Sequence, residues 1–379
     1  MAIAARIKKK CRTAVAAVTT VALVAAVAAC GTGSGGTGAS SAPTTATTAT
    51  PLNELAVPAD PKSLTGPSTA TKVSDVIDPI AQNPTPALPA TVTDAQGTKV
   101  TITDTSRILA LDIYGTLAQV VYDLGLGDNV VGRDTSSTFD EIKDLPRVTE
   151  NGHSLNGESI LSLSPTVIIT DTSLGPWDVL LQMRDAGVPV VVVDSDRTLE
   201  NTGTIIKQVA NALGLKQQGK ELAKRTTDAI DAKIAQIKQI APSDTVHKLR
   251  MAFLYVRGNA GVYYMFGEGS GADSLIEALG GYDVTAETGW TGMRPITDEG
   301  LVAAQPDLVL TMSGGLEATG GVDGLLEAVP ALAQTPAGAN RRIVDMDDSQ
   351  IMGFGPDSAA VLDSLARAIY APDSAAESQ

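Results

Sequence analysis

Short apolar runs alternate with amphipathic stretches along most of the chain from Arg107 onward. The apolar runs predict strands at residues 108–111, 129–132, 167–170, 188–193, 249–256, 308–311 and 342–345, and the amphipathic stretches predict helices at 116–124, 158–163, 177–186, 200–213, 217–240, 272–279, 299–304 and 358–369. The valines at 190–193 suit a strand that is buried on both faces, as in a parallel sheet. Strands that alternate with helices in this way predict an α/β fold.

The longest predicted helix, at residues 217–240, separates two such alternating regions. At 1.5 Å per residue it is about 36 Å long, which is enough to cross from one domain to another. We therefore predict two Rossmann-like αβ lobes at residues 90–198 and 244–371, joined through linking helices at 199–243 that include this single long helix, with a ligand cleft between the lobes. A disordered tail is expected at residues 372–379.

One sequence pattern occurs once in each lobe. Residues 158–170 and 299–311 have the same length and predict a short helix, a proline break and a buried strand. Three residue types coincide between the two copies: Glu158 with Glu299, Pro165 with Pro306, and Thr170 with Thr311. The repeat indicates that the two lobes are related.

The N-terminal segment has the layout of a secretory signal peptide. A run of small and apolar residues at 14–29, too short for a comfortable membrane span, follows five basic residues: Arg6, Lys8, Lys9, Lys10 and Arg12. The run ends in Val-Ala-Ala before Cys30, which resembles the lipobox of bacterial lipoproteins and implies cleavage before Cys30 and lipidation of that cysteine. A plain signal peptide or an uncleaved anchor is the alternative. We predict a lipoprotein signal peptide at 1–29 and a disordered tether, rich in Thr, Ala, Pro and Gly, at 30–89.

Charge and cysteine content narrow the possible partners. The formal net charge is −15, and five basic residues lie in the segment predicted to be removed, so the mature chain would carry −20. This acidity argues against nucleic acid and against adhesion to anionic lipid head groups, which leaves an acyl chain as the membrane anchor. Cys11 would be removed, so Cys30 would remain as the single cysteine and no intramolecular disulfide is expected.

Few residues suit metal chemistry or catalysis. The chain has two histidines, whereas zinc- and manganese-binding proteins usually need several histidines and carboxylates around one ion. No phosphate loop, nucleophile elbow or zinc-protease motif is present, so we expect no enzyme. His247 is expected to be a surface residue. His153 lies in a polar loop punctuated by glycines, a setting in which binding residues concentrate.

Tyr255 and Arg257 close the first predicted strand of the second lobe, so their side chains share a face. Ligands of open parallel sheets bind beyond the carboxyl ends of the strands. A guanidinium beside a phenol favours the phenolate, and phenolate and imidazole are both haem axial ligands. Ordinary packing at a strand end or in a loop is the alternative for each of these residues. The same alternatives hold for the further cleft candidates Arg133, Trp177, Trp290, Met293 and Arg294.

Two lobes, a long helix and a Glu…Pro…strand motif in each lobe resemble the binding proteins of ABC importers for siderophores, cobalamin and haem, over about residues 91–371. His153 in one lobe with Tyr255 and Arg257 in the other is similar to actinobacterial hemin-binding lipoproteins of the HmuT type. This resemblance implies that haem b is the transported ligand, that His153 and Tyr255 hold its iron from opposite lobes, and that Arg257 bonds the tyrosine.

The same resemblance implies the partners. The permease and ATPase of a haem importer would receive the ligand, with Glu158 and Glu299 facing the permease, although helix dipoles alone also favour glutamates at helix starts. We expect a monomer that is lipid-anchored to the outer face of the cytoplasmic membrane, supplied by upstream haem-binding surface proteins, and without nucleic acid. The alternatives are a ferric-siderophore or cobalamin ligand in the same fold, and a haem chaperone or enzyme that acts without an importer.

Overall fold

The computed structural model describes residues 50–74, 77–257 and 262–376, with the backbone alone for Val262, Ala375 and Ala376. The predicted signal peptide and Cys30 lie outside the described residues. Within those residues, no helix is both long and apolar enough to cross a membrane.

The segment ahead of lobe one, which we call the strap, comprises residues 50–74 and 77–89. It contains 3-10 turns at Leu52–Glu54 and Pro61–Ser63, and strand β1 at Ser68–Thr69. β1 adds a parallel strand to the edge of the lobe-two sheet, with Ser68 opposite Val344. Further along the strap, the backbone N–H groups of Ile80 and Ala87 donate to the carbonyls of Asp123 and Gly214, both outside lobe two. The strap therefore contacts both halves of the molecule.

Arg342 holds the strap against lobe two. This side chain is 2% exposed. One guanidinium nitrogen donates to the carbonyl of Gly66 at 3.3 Å and to the hydroxyl of Ser68 at 2.9 Å, and the other donates to the carbonyls of Ala368 and Ile369 at 2.9 and 2.6 Å. A single buried cation thus joins the strap to the C-terminal helix.

The prediction of a disordered tether at 30–89 is wrong for its described part. Leu52 and Ala70 are buried in the lobe-two core despite the Thr- and Pro-rich composition around them. Backbone hydrogen bonds along a sheet edge do not depend on side-chain type, so a polar segment can be ordered with few apolar contacts.

Lobe one contains a three-stranded parallel sheet. Its elements are β2 (Ala90–Thr93), β3 (Lys99–Ile102), β4 (Ile108–Leu111), α1 (Thr116–Asp123), β5 (Thr149–Glu150), β6 (Ser154–Leu155), α2 (Gly157–Ser162), β7 (Val167–Thr170), α3 (Trp177–Asp185) and β8 (Val190–Val192). β4, β7 and β8 pair in that order and every residue in them is buried. The strand expected at 129–132 is wrong: Val130 makes a single bridge to Ile108, because the chain then turns to bridge Arg133 with Arg147.

Two helices follow lobe one, α4 (Thr202–Ala212) and α5 (Lys216–Ile240). The 25 residues of α5 span about 37 Å. Leu222 of α5 is buried in the core of lobe one, whereas Ile230 and Ile237 are buried in the core of lobe two. The long helix that was predicted to join the lobes is confirmed.

Lobe two is a mixed sheet flanked by helices. Its elements are β9 (Arg250–Arg257), β10 (Val262–Phe266), α6 (Ala272–Ala278), β11 (Tyr282–Asp283), β12 (Met293–Pro295), α7 (Asp298–Ala304), β13 (Leu308–Met312), α8 (Ser313–Ala318), α9 (Gly321–Ala328), α10 (Pro336–Ala339), β14 (Ile343–Met346), α11 (Ser358–Tyr370) and α12 (Pro372–Ala376). The sheet order is β1-β14-β13-β9-β10-β12, and β11 also pairs with β9. β10 is antiparallel to both of its neighbours, β9 and β12. The disorder predicted from residue 372 is wrong for the residues of α12, which continue the C-terminal helix after a break at Ala371.

The internal repeat extends to backbone conformation. The short helices α2 and α7 each end one or two residues before a residue with positive φ, Ser164 at 46° and Gln305 at 43°, and a proline follows each of them. A left-handed residue followed by proline stops a helix sharply, so both copies enter their buried strands in the same way.

Candidate functional site

His153 sits at the tip of the β5–β6 hairpin in lobe one. Asn151 and Gly152 before it have φ values of 47° and 92°, a left-handed conformation that asparagine and glycine tolerate best. The hydroxyl of Thr135 donates to the carbonyl of Gly152 and bonds the hydroxyl of Thr149. The hairpin is therefore held to a neighbouring loop, which fixes the position of His153.

The His153 imidazole is half-buried, and its buried Nδ1 atom has no hydrogen-bond partner among the described residues. His247, by contrast, is exposed and bonds Asp244 through Nδ1 at 2.7 Å, as the sequence predicted for a surface histidine.

Tyr255 and Arg257 stand at the carboxyl end of β9 in lobe two. Tyr255 is half-buried and Arg257 is exposed. Among the described residues, no hydrogen bond joins the guanidinium of Arg257 to the hydroxyl of Tyr255, so the pairing expected from the sequence is not present in this structure.

His153 and Arg257 interact electrostatically although they belong to different lobes. Burial, and after it the positive charge of Arg257, lowers the pKa of His153 below its ordinary value of 6.5. A lowered pKa keeps the imidazole neutral at pH 7, which is the form that ligates metals. The charge of Arg257 in lobe two therefore reaches His153 in lobe one.

Four aromatic rings lie on one face of the β9–β10 pair. Tyr264 is directly opposite Tyr255, and Phe266 is directly opposite Phe253. The Phe253 and Phe266 rings stack with centroids 5.0 Å apart, and the Tyr255 ring lies 6.3 Å from Phe266 and 6.5 Å from Tyr264. The sequence singled out Tyr255 but did not assign Tyr264 or Phe266 to its surroundings.

The pairing of β10 with β12 places the candidate ligand-binding residues of the 290–294 loop on two different faces of the sheet. Met293 is opposite Phe266, on the face of Tyr255, and is 52% exposed. Arg294 is opposite Met265, so its side chain belongs to the other face and donates to the Thr291 hydroxyl at 2.7 Å. The Trp290 indole is also on that side, where its N–H donates to the Met265 carbonyl at 3.0 Å. Met293 therefore shares the face of Tyr255, whereas Trp290 and Arg294 lie on the opposite face.

Arg133 and Trp177 have structural contacts within lobe one. The Arg133 guanidinium donates to the carbonyls of Lys143, Asp134 and Ser137 at 3.0–3.3 Å, which organises its own loop. Trp177 packs against the lobe-one core, and the guanidinium carbon of Arg184 lies 5.4 Å from its ring centroid. These contacts support the packing interpretation of both residues.

Glu158 and Glu299 are exposed near the starts of α2 and α7. The helix caps are supplied by other side chains: Asn156 accepts from the Ser159 N–H at 2.9 Å, and Thr297 accepts from the Gly300 N–H at 3.1 Å. Neither glutamate is the N-cap of its helix.

A buried ionic cluster lies at the carboxyl edge of the lobe-one sheet. Asp112 follows β4 and Asp171 follows β7, and both accept from the same nitrogen of Arg197. Asp112 and Asp171 are inaccessible and Arg197 is 3% exposed, with its guanidinium carbon 5.3 Å from the Tyr114 ring centroid. Burial raises the pKa of Asp112 to about 8, and the charge of Arg197 opposes that rise.

The crevice between α1 and the 349–358 segment is lined by residues of both lobes. Tyr114, Thr116 and Phe139 come from lobe one, and Phe354 and Asp357 come from lobe two. Neither His153 nor Tyr255 lines this crevice, so it is distinct from the candidate site.

Comparisons with known proteins agree with the two-lobed fold. Residues 113–350 match the periplasmic binding protein family. An uncharacterized ABC transporter substrate-binding lipoprotein of Bacillus subtilis is 26% identical over 305 residues, which are 79% of this chain and 91% of that protein. A cobalamin-binding protein of Halobacterium salinarum is 25% identical over 281 residues, 70% of each chain.

Solved structures of haem-binding proteins are similar as well. The crystal structure of the heme-binding protein HmuT is 41% identical, covers 82% of this chain and 99% of its own, and superposes with a TM-score of 0.78. Further structures of HmuT carry alanine in place of one histidine, one tyrosine or one arginine, and the tyrosine and arginine are two positions apart in that protein. BhuT, solved in complex with two hemes, is 29% identical with a TM-score of 0.62 and covers 71% of this chain and 98% of its own.

These relatives are substrate-binding proteins and not enzymes. The fold, the two lobes with their internal repeat and the family match lead to one conclusion. This chain belongs to the periplasmic binding protein family, as a substrate-binding protein of the ABC-importer class and of the HmuT type.

Proposed function

We propose that this protein binds haem between its lobes, with His153 and Tyr255 as the axial ligands of the iron. The observation that carries the proposal is that the positive charge of Arg257, at the end of the strand that bears Tyr255, lowers the pKa of His153 from the other lobe. HmuT, with its variants at a histidine and at a tyrosine and arginine two positions apart, supports the assignment.

The donor chemistry fits a macrocycle that already supplies four nitrogens to its iron. Such an iron needs one donor above and one below, and imidazole and phenolate both serve in that role. The neutral form of His153 is available at pH 7. Arg257, two residues from Tyr255 on the same strand face, would favour the phenolate once Tyr255 loses its proton.

Hemin titration of the apoprotein, followed by absorption spectroscopy, tests the proposal. We expect a Soret band and a phenolate-to-iron charge-transfer band. Tyr255→Phe should abolish the charge-transfer band, and His153→Ala should shift the spectrum and weaken binding less. His247→Ala is the matched control for the histidine and should behave as wild type. If the His153 and Tyr255 variants both keep the wild-type spectrum, the ligand assignment is wrong.

A corrinoid is the second candidate ligand, because the cobalamin-binding protein of Halobacterium salinarum is among the relatives. A ferric siderophore is the third candidate ligand of this fold. Competition separates these ligands from haem: an excess of cobalamin or of a ferric siderophore should leave the Soret band of the hemin complex unchanged. Displacement of hemin by either compound would favour that ligand.

We also propose that the protein is lipid-anchored through Cys30 on the outer face of the cytoplasmic membrane and delivers haem to an importer permease. Glu158 and Glu299 support docking, because both are exposed at equivalent positions of the repeat and neither caps its helix. Exposed charges of this kind steer and orient association more than they add affinity. A haem chaperone without an importer would not require these two glutamates.

A further inference from the structure

Two consecutive tyrosines of β10 face opposite sides of the lobe-two sheet. The register sets Tyr264 opposite Tyr255 and Tyr263 opposite Val256. Tyr263 packs against the core that contains Leu254 and Val256, whereas the Tyr264 ring lies 6.5 Å from the Tyr255 ring at an angle of 47°. Tyr264 therefore accompanies Tyr255, and Tyr263 does not.

The pairing of β9 with β10 also places the two phenol side chains next to each other. Side chains directly opposite each other on antiparallel strands have Cβ atoms about 4.5–5.5 Å apart and stand on the same face. Tyr255 and Tyr264 are both half-buried, and within the described part of the chain neither hydroxyl has a hydrogen-bond partner. The two tyrosine side chains, equal in length, therefore lie side by side on one face of the sheet.

Phe266 limits the freedom of this pair. Its ring stacks on Phe253 with centroids 5.0 Å apart and lies 6.3 Å from the ring of Tyr255. Phe253 is buried in the core. The ring of Tyr255 is therefore bounded by Phe266 on the core side and by Tyr264 on the neighbouring strand.

We propose that Tyr264 is a specificity-determining residue that supports the plane of a flat macrocycle beside the iron ligand Tyr255. The proposal rests on the haem-binding function proposed above. A planar ligand whose central metal is bonded to the Tyr255 oxygen extends over its neighbour on the same face, so Tyr264 contacts the ring system and not the metal. A ligand without a flat aromatic face gains nothing from this contact.

Hemin and metal-free protoporphyrin IX separate the two contacts. Tyr264→Leu should weaken binding of both compounds by a similar factor, roughly three- to tenfold, the range expected for one aromatic contact. Tyr255→Phe should weaken hemin binding much more than binding of the metal-free porphyrin, because the lost interaction is with iron. Tyr263→Leu is the matched control, with the same residue change on the opposite face, and should leave both affinities near wild type.

Thermal melts should accompany these titrations, so that an unfolded variant is recognised and Tyr264→Phe is measured in its place; its retained ring should keep both affinities within about threefold of wild type. Unchanged affinity of folded Tyr264→Leu for both compounds would overturn the inference. A loss confined to hemin would also overturn it, since that pattern belongs to an iron ligand. A wild-type protein that binds neither compound would refute the haem proposal itself, a result distinguishable from failure of the Tyr264 contact alone.

Discussion

Exchanging Arg197 for methionine removes the guanidinium that the buried carboxylates of Asp112 and Asp171 share. Removing one partner of a buried ion pair costs about 3–5 kcal/mol, because a charge remains without compensation. This figure applies where the carboxylates are ionised, so the loss of stability should depend on pH.

The direction of that dependence follows from the pKa of Asp112, which burial raises from 3.8 to about 8 while the charge of Arg197 opposes the rise. A carboxyl group whose pKa is raised on folding contributes stability that is present below its unfolded pKa and is lost as the pH rises through its folded pKa. Without Arg197 the folded pKa of Asp112 rises further. The wild type and the variant therefore lose stability in parallel up to about pH 8, and above that pH the variant alone continues to lose it, by up to about 1.4 kcal/mol per pH unit.

Urea unfolding followed by tryptophan fluorescence at pH 6 and pH 9.5, on either side of the folded pKa of Asp112, measures the effect. We expect Arg197→Met to lose up to about 3–5 kcal/mol of unfolding free energy at pH 9.5, where the wild-type carboxylates are ionised, and clearly less at pH 6. Lys224→Met is the control, because Lys224 forms an exposed pair with Asp228 one helical turn away and should lose about 0.5 kcal/mol or less. An equal loss at both pH values would refute the electrostatic reasoning and leave lost packing as the cause.

Three further predictions concern substitutions in the strap contact, at the two exposed glutamates and at Cys30. Arg342→Met should lose at least about 3 kcal/mol of unfolding free energy, since hydrogen bonds to a charged donor contribute about 1.5–3 kcal/mol each, and should make the strap sensitive to limited proteolysis; a strap that resists cleavage would contradict this role. Glu158→Ala combined with Glu299→Ala should leave hemin affinity unchanged and reduce uptake by whole cells, and normal uptake would exclude docking through these residues. Cys30→Ala should release the protein from membranes or leave its signal peptide uncleaved, whereas unchanged processing and membrane retention would exclude lipidation.

The α/β class could be predicted because the strands of lobe one are buried on both faces. The apolar runs at 167–170 and 190–193 correspond to β7 and to β8 with its following residue, where no polar alternation competes with the signal. The internal repeat could also be predicted from the sequence, since each copy has a proline at the same position between its short helix and its strand. His153 and Tyr255 could be proposed because the chain has only two histidines, because Tyr255 closes a predicted strand, and because the pair resembles hemin-binding lipoproteins.

The faces of the lobe-two sheet could not be predicted in the same way. Met293 and Arg294 are adjacent, and which of them faces Tyr255 depends on the pairing of β12 with β10, where a shift of one residue would exchange them. The ordered structure of the strap could not be predicted from the sequence either. Ser68 is held by Arg342, 274 residues further along the chain, and no local pattern reports a partner at that distance.

The position of β1 beside β14 has a consequence for fragments of this protein. A strand at the edge of a sheet presents unpaired N–H and C=O groups, which can template pairing with another chain. β1 covers that edge of the lobe-two sheet. A fragment that begins at Ala90, where the first hairpin of lobe one starts, would retain both lobes but expose β14, and proteolytic loss of the strap would have the same effect. Because a very short edge strand offers few unpaired groups, β1 limits the surface of the intact protein through which its sheet could pair with another copy.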